Sequence, residues 1–423
     1  MAKRNPGTTD SETIHLALDI GSSATKGACD TETRPIKNAT FQRDPSEEGA
    51  HLFIMDSAYA IEKSELKRAM FADDPNYNPE RFGAAALKKV RPSGKERYIV
   101  TDTYEGGYII ANGRITTQTG FNAVLEHFLD VFPKGSVRAI LAIPPEEYLH
   151  QQERGEKKQK QTKSRKIMEE FKHSALESYL EAVPQNTAAG YMIPDNAVRY
   201  DDERAIIIDI GDGTTDIQAI NIVPDDPRHF EEVFWIKVTE SEDGTGENVA
   251  GNYRDMKAQD FLKATLKEKY RIDTDIAFMT ARGIMAKFAH TDPDNPPEGL
   301  EKYSWPLKGG KSQIIDIREP VYQASLELAS RIPQSITDLT DRFVADHEIV
   351  EQMRSHIYVT GRGSAIIGLP QYLQTKLKDI TGENMVVKSL EDPTYSVSRG
   401  ALRIGRAMTR AKTKEKQWTP ISN

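Results

Sequence analysis

The sequence contains a single cysteine, Cys29, among 423 residues. An internal disulfide is therefore excluded, and a reducing compartment such as the cytoplasm is expected. Long apolar runs are also missing, since none approaches the roughly 18 residues that a membrane-spanning helix needs. The polar first residues are not followed by an apolar stretch, so no secretory signal is expected. These absences predict a cytoplasmic protein without a membrane segment.

Positive charge is in the minority, with 56 basic against 64 acidic residues and a net charge of -8. An acidic surface argues against direct binding along nucleic acid. The nine histidines show no metal-ligand spacing, and no Gly-x-Ser-x-Gly nucleophile elbow occurs. With 38% hydrophobic and 28% charged residues, the chain is predicted to be globular, with two to three domains or one large two-lobed unit.

One pattern occurs twice in the chain. An apolar strand ends in Asp-Ile-Gly, small residues follow, and a threonine opens a second strand, at 19–25 and again at 209–215. The copies begin 190 positions apart (209 minus 19), which excludes a short-period solenoid. The repeat predicts two similar lobes that face each other across a cleft.

The repeated pattern suits phosphate binding. Glycine allows the backbone to approach a ligand closely, and successive N–H groups in such a turn attract an anion. Asp19 and Asp209 end their strands, where a carboxylate would repel a phosphate but could hold Mg²⁺ through water. A pair of ordinary tight turns is the alternative, and the matched context of the two copies disfavours it.

Gly309-Gly310-Lys311-Ser312 is interpreted as a turn, because a P-loop would need glycine where Trp305 stands.

Simple periodicity predicts the other elements. Helices are predicted at 80–89, 121–132, 167–179, 255–290 and 320–345, strands at 137–144, 205–209, 215–220, 234–238 and 357–360, and a loop at 291–313.

Five segments, in this order along the chain, resemble motifs of the actin-like ATPases. They are the first phosphate loop at 19–27, the first connecting helix at 181–190, the second phosphate loop at 209–216, the adenosine motif at 359–364 and the second connection at 392–401. Arg362 departs from the adenosine motif, where glycine is usual. Within the superfamily, the segment 143–166 is similar to ParM-type segregation proteins.

The resemblance implies an α/β, actin-like two-lobed fold, built from duplicated ribonuclease-H-like domains with an interdomain nucleotide cleft. The expected first lobe covers 1–180, with a small subdomain at about 40–118. The expected second lobe covers 181–405, with a small subdomain at about 240–313. A basic tail would follow at 406–423.

The resemblance also implies ligands and roles. ATP with Mg²⁺ is expected, with GTP as the alternative nucleotide. Asp19 and Asp209 would hold the metal, Lys26 would contact the β- or γ-phosphate, and Glu181 would orient the attacking water, with Glu177 as the competing candidate. The remaining expected nucleotide contacts are Gly21, Ser22, Ser23, Gly211, Asp212, Gly213, Thr214, Thr215, Lys267, Glu268, Gly361, Arg362, Gly363 and Ser364.

The expected function is an ATPase that assembles with itself into nucleotide-dependent filaments, either to move plasmid or other DNA through a DNA-bound adaptor or for another cytoskeletal role. The basic stretch 154–166 is either a solvated helix face or a contact for a neighbouring subunit or adaptor. A chaperone ATPase and a small-molecule kinase share the fold and are the rivals. The chain ends about 20 residues after the second connection, which argues against a chaperone substrate domain.

Overall fold

The computed structural model describes residues 13–21, 24–31, 36, 39–45, 49–56, 59–62, 98–101, 110–111, 114–115, 118–145, 168–178, 180–194, 197, 203–222, 234–239, 248–343 and 347–417. The chain divides into two units, Met1–Pro184 with Ser398–Asn423, and Gln185–Val397. This division differs from the expected lobes, because residues 181–184 and 398–405 belong to the first unit.

The first unit is built on a six-stranded sheet of order β10-β9-β1-β2-β4-β3. Its elements are β1 (Ile14–Ile20), β2 (Ala24–Cys29), β3 (Thr40–Arg43), β4 (His51–Asp56), β5 (Tyr59–Glu62), β6 (Tyr98–Thr101), β7 (Ile110–Ala111), β8 (Arg114–Ile115), α1 (Gln118–Leu129), β9 (Val137–Ile143) and β10 (Glu181–Pro184). One face of the sheet is apolar: Leu16, Leu18 and Ile20 pack in one cluster with Phe121 and Phe128 of α1. Side chains along a strand alternate between the two faces of the sheet, so the residues between Leu16, Leu18 and Ile20 face the other way.

The second unit is built on a five-stranded sheet of order β13-β12-β11-β16-β17. Its elements are α2 (Gln185–Gly190), β11 (Glu203–Ile210), β12 (Thr215–Ile222), β13 (Phe234–Lys237), α3 (Gly251–Tyr270), α4 (Phe278–Phe288), β14 (Tyr303–Pro306), β15 (Ser312–Ile315), α5 (Arg318–Ala329), α6 (Ile332–Asp341), α7 (His347–Ser355), β16 (Ile357–Thr360), α8 (Leu369–Thr381) and β17 (Val387–Ser389). The last helix, α9 (Ser396–Gln417), continues into the first unit.

The two sheets share one topology. In each, a hairpin (β1–β2, β11–β12) pairs with an antiparallel third strand (β4, β13) on one side. On the other side, each hairpin's first strand pairs with a parallel fourth strand (β9, β16), which pairs with a parallel fifth (β10, β17). This repeated order confirms the predicted duplication and the α/β fold class.

Several local predictions were wrong. Residues 171–178 are not helical, although a helix was expected to about 179. The helix expected at 255–290 is two helices, because Arg271 takes a left-handed conformation that ends α3. The helix expected at 320–345 is likewise divided into α5 and α6.

The predicted loop at 291–313 contains the hairpin β14–β15, whose turn is a 3₁₀ turn at Lys308–Gly310. The glycine-rich segment is therefore a turn, as predicted.

The expected tail from 406 begins inside helix α9, which extends to Gln417. The helix expected at 80–89 and the basic stretch 154–166 lie outside the described residues. Within the described part of the chain, we find no helix both long and apolar enough to cross a membrane.

Candidate functional site

The first repeated loop connects β1 to β2 in the first unit. The Gly21 amide donates to the Ala24 carbonyl at 3.0 Å, and a Cβ at Gly21 would lie 3.0 Å from that carbonyl oxygen. The strand register pairs Asp19 with Lys26 and Ile20 with Thr25. Ser22 and Ser23, two expected phosphate contacts, lie outside the described residues.

The expected catalytic residues of the first unit share one face of its sheet. Lys26 Nζ lies 2.7 Å from Asp19 Oδ2, and both side chains are largely buried. Ala17 and Glu181 both pair with Ile140. Because residues in register point the same way and i, i+2 neighbours share a face, Glu181 lies on the face that carries Asp19 and Lys26.

Glu181 begins a strand, where a connecting helix was expected. The helix starts only at Gln185, after Pro184. Glu181 is 8% exposed, whereas Glu177 is exposed and lies outside β10. The competing candidate, Glu177, would lie one helical turn from Glu181 only if both belonged to one helix; they do not, and the strand favours Glu181.

The second repeated loop has the same geometry. The Gly211 amide donates to the Thr214 carbonyl at 2.9 Å, and the register pairs Asp209 with Asp216 and Ile210 with Thr215. Thr215 is fully buried, and Gly213 is half-buried. The two loops are therefore equivalent in register and in their closing hydrogen bond.

The loops differ in charge. Lys26 faces Asp19 in the first hairpin, but the equivalent position in the second hairpin is Asp216. Thr214 Oγ1 donates to Asp216 Oδ2 at 2.7 Å. Lys237 of β13 is in register with Asp216. The second hairpin thus carries a carboxylate where the first hairpin carries its lysine.

The adenosine-like segment lies directly against the second loop. Gly361 has φ +85°, and a Cβ there would collide with Asp209 Oδ1. A Cβ at Gly363 would lie 2.8 Å from the Ile210 carbonyl oxygen. Ser364 Oγ donates to the Gly361 carbonyl at 2.7 Å and closes the turn. Only glycine fits at 361, since both the space and the backbone conformation require it.

Three residues that sequence reasoning missed join this cluster. Asp212 Oδ2 accepts from Arg362 and also lies 3.0 Å from an Arg282 guanidinium nitrogen on α4. Arg254 of α3 donates to the Gly363 carbonyl at 3.3 Å and to Asp255 Oδ1 at 2.8 Å. No motif spacing in the sequence predicts Arg254, Asp255 or Arg282, because the packing of helices α3 and α4 brings them to the loop.

The start of α3 is held against the second loop. The Gly251 amide donates to the Gly211 carbonyl at 2.9 Å, and the Asn252 amide donates to the Asp212 carbonyl at 2.8 Å. Asp255, one turn further, is 1% exposed. Burial raises its pKa above the ordinary carboxyl value, against the opposing charges of Arg254 and Arg282.

Two expected adenine contacts are not brought to this cluster. Lys267 and Glu268 are exposed near the far end of α3. They follow Gly251 by 16 and 17 residues, so they lie roughly 24 Å along the helix from the loop. Helix α4 does reach the loop with a side chain, since Arg282 lies 3.0 Å from Asp212 Oδ2.

No group of three or more histidine, cysteine or acidic side chains suited to a metal occurs among the described residues. This does not conflict with Mg²⁺, which keeps several waters and needs only one or two carboxylates besides phosphate. Asp19 and Asp209 are each the next-to-last residue of a strand that leads into a repeated loop, and a carboxylate at these positions fits a water-mediated magnesium ion.

Two curated proteins resemble the chain in sequence. The actin-like protein MamK of Paramagnetospirillum magneticum is 28% identical over 243 residues, which cover 57% of this chain and 59% of that protein. MamK of Magnetospirillum gryphiswaldense is 29% identical over 211 residues, or 48% of this chain and 49% of that protein. The chain thus matches about half the length of these relatives. No family model matches it.

Solved structures resemble the fold over nearly the whole chain. A MamK double helical filament has a TM-score of 0.59 at 20% identity and covers 93% of this chain and 99% of its own. MreB5 of Spiroplasma citri bound to AMPPNP has a TM-score of 0.59 at 17% identity and covers 97% of this chain and 100% of its own. The fold is therefore the actin-like fold. Because these relatives are MamK and MreB proteins, they give no support to the ParM subtype or to plasmid segregation.

Proposed function

We propose that this chain binds and hydrolyses ATP with Mg²⁺ and assembles into nucleotide-dependent filaments with a cytoskeletal role. The observation that carries the proposal is the repeated hairpin, which has the same register, the same closing hydrogen bond and the same leading aspartate in both units. Glycine-lined turns of this kind present backbone N–H groups to phosphate.

The residues have separate tasks in this proposal. The phosphate loop of each unit takes part in binding ATP through its backbone amides. Asp19 in the first loop and Asp209 in the second are the carboxylates that would hold magnesium through water, and the metal would neutralise phosphate charge when bound. Glu181, on the face that carries Asp19 and Lys26, orients the attacking water.

Lys26 is proposed to move between two partners. It is paired with Asp19 in this structure, and a lysine on a flexible stem can turn to a phosphate oxygen. A second partner for Asp19, the magnesium ion, would compensate the carboxylate when Lys26 leaves it.

Support for adenine nucleotides and for assembly comes from the relatives. MreB5 of Spiroplasma citri is described bound to ADP and to AMPPNP, and MamK is described as a double helical filament. These are properties of those proteins, and we propose them for this chain because the fold and the repeated loops agree. DNA cargo, an adaptor and a preference for GTP have no such support and stay predictions.

Calorimetry with Asp209→Ala tests the nucleotide site. Titration of ATP with and without Mg²⁺ should show that magnesium strengthens binding to the wild type. Loss of a group that holds metal waters should weaken the magnesium-dependent part by roughly 10- to 100-fold. Asp275→Ala is the matched control, because Asp275 is an exposed aspartate whose carboxylate pairs with Lys263 at the surface. Normal Mg-ATP affinity in Asp209→Ala would reject the assignment.

A further inference from the structure

The second phosphate loop concentrates negative charge. Asp209, Asp212 and Asp216 all lie between positions 209 and 216. A phosphate that approaches the loop's amides would be repelled by nearby carboxylates. The first hairpin compensates its aspartate with Lys26, whereas the equivalent residue of the second is Asp216.

The compensating charge for Asp212 comes from two other segments. Arg362 belongs to the adenosine-like turn, and Arg282 belongs to helix α4, yet both guanidinium groups reach the same carboxylate oxygen, Asp212 Oδ2. The Asp212 side chain is 10% exposed, and those of Arg282 and Arg362 are 16% and 30% exposed. Water screens these groups only in part, so charge-assisted hydrogen bonds here are stronger than on an open surface.

The backbone of Asp212 is also held in place. The Asp212 carbonyl accepts from the Asn252 amide at 2.8 Å, and a Cβ at Gly251 would lie 3.1 Å from Asp212 Oδ1. The backbone of Asp212 is therefore fixed against the start of α3, and its carboxylate lies close to Gly251. Its charge must be compensated where it stands.

We propose that Arg282 and Arg362 are positioning residues for the second phosphate loop: they neutralise Asp212 and fix it, so that the loop's amides can accept a nucleotide phosphate. This inference rests on the proposed function. It gives a physical reason for an arginine at position 362, where the resemblance leads one to expect glycine.

The test is a charge-neutralisation cycle on the full chain, with Mg-ATP and adenosine as the two titrants. The variants are Arg362→Gln, Arg282→Gln, Asp212→Asn and the double variants of Asp212→Asn with each arginine change. Each single arginine change removes one positive charge at roughly 8 Å from a phosphate, which should weaken ATP binding by about 10- to 100-fold. Adenosine, which has no phosphate, should bind each variant as it binds the wild type.

The double variants decide whether the charge of Asp212 causes the weaker ATP binding of the arginine variants. Asp212→Asn should restore ATP affinity to each arginine variant, to within about threefold of the wild type, because no carboxylate is left to neutralise. Arg362→Lys keeps the charge and should also stay within about threefold, which covers the case in which Arg362→Gln fails to fold. Arg318→Gln is the matched control, since it removes the arginine from another arginine–aspartate pair of the same unit.

The outcomes separate the two proposals. Wild type that binds no nucleotide overturns the proposed function, and this inference falls with it. Wild type that binds ATP, with both arginine variants equal to it, overturns this inference alone. Two further results would show that the arginines do not act by neutralising Asp212. They are an equal loss of affinity for ATP and for adenosine, and no recovery of ATP affinity in the double variants. Either result overturns this inference.

Discussion

At the scale of single residues, the two repeated loops depend on local contacts and on contacts between distant parts of the chain. Asp19, Gly21 and Lys26 lie within eight residues of one another, so a strand–turn–strand pattern is enough to bring them together. Arg282 and Asp212 are 70 positions apart (282 minus 212), and only the packing of α4 makes them partners. Lys267 and Glu268 show the reverse case: the dipeptide resemblance is local, and it does not indicate where their helix starts or how far they lie from the loop.

Cys29 gives a residue-scale prediction for stability at alkaline pH. Burial raises the pKa of its thiol from 9.0 to about 12. The unfolded thiol therefore loses its proton at a lower pH than the folded one, so stability falls as pH rises from 9 towards 12. The loss is up to about 1.4 kcal/mol per pH unit in that window.

Urea unfolding of the wild type and Cys29→Ala at pH 8 and pH 10 measures this effect. Other titrating groups are common to both proteins, so the difference between them isolates the thiol. The wild type should lose about 1 kcal/mol more than the variant over this interval. If the free energy of unfolding changes equally with pH in the two proteins, the buried thiol does not cause the loss of stability.

At the scale of elements, the strands of the two hairpins were predictable because each combines an apolar run with a glycine turn. The strand β10 was not, because Glu181-Ala182-Val183-Pro184 is too short to show a period and only its pairing with β9 makes it a strand. The hairpin β14–β15 was missed for a similar reason. Its strands are four residues each, and its glycines and prolines resemble a loop.

Two glycines give an element-scale prediction with opposite signs. Gly27 of β2 faces Phe53 of β4, and a Cβ at Gly27 would overlap the Phe53 ring. Phe53 is fully buried and packs against Phe41 and Phe128, with ring centroids at 5.6 and 5.1 Å. Gly27→Ala should therefore destabilise the protein by about 1–3 kcal/mol.

Gly283 is the matched control for this change. It lies on the exposed side of α4, and nothing is within 4 Å of a Cβ placed there. Gly283→Ala should stabilise the protein by about 0.5–1 kcal/mol, because alanine loses less backbone entropy in a helix. The free energy of unfolding of both variants checks the pair, and equal effects of the same sign would contradict the packing described for Phe53.

At the scale of the whole molecule, the duplication is what the sequence predicted best. Two copies of one motif implied two similar units, and five strands of the first sheet have the same order as the five strands of the second. The unit boundaries were less predictable. Helix α9 joins the first unit late in the chain, where Arg399 Nε lies 2.8 Å from Asp44 Oδ2 in a fully buried ion pair. A pairing over 355 positions (399 minus 44) leaves no local signal.

The proposed assembly follows from coupling nucleotide state to the surface of the molecule. If ATP and its hydrolysis products favour different conformations, they also favour different contacts between copies. A head-to-tail contact that does not close gives an open filament. Glu181 enters this scheme through the lifetime of the ATP state, because loss of a water-orienting group typically slows turnover by about 10²–10⁴-fold.

Light scattering with sedimentation, on purified wild type and Glu181→Ala supplied with Mg-ATP, tests the central claim most directly. Scattering of the wild type should rise on addition of Mg-ATP and fall as phosphate is released. For Glu181→Ala, ATP should still bind, phosphate release should be slowed, and the polymer should persist for longer. A wild-type protein that binds and hydrolyses ATP, yet stays in the supernatant across a wide range of protein and salt concentrations, would contradict the account.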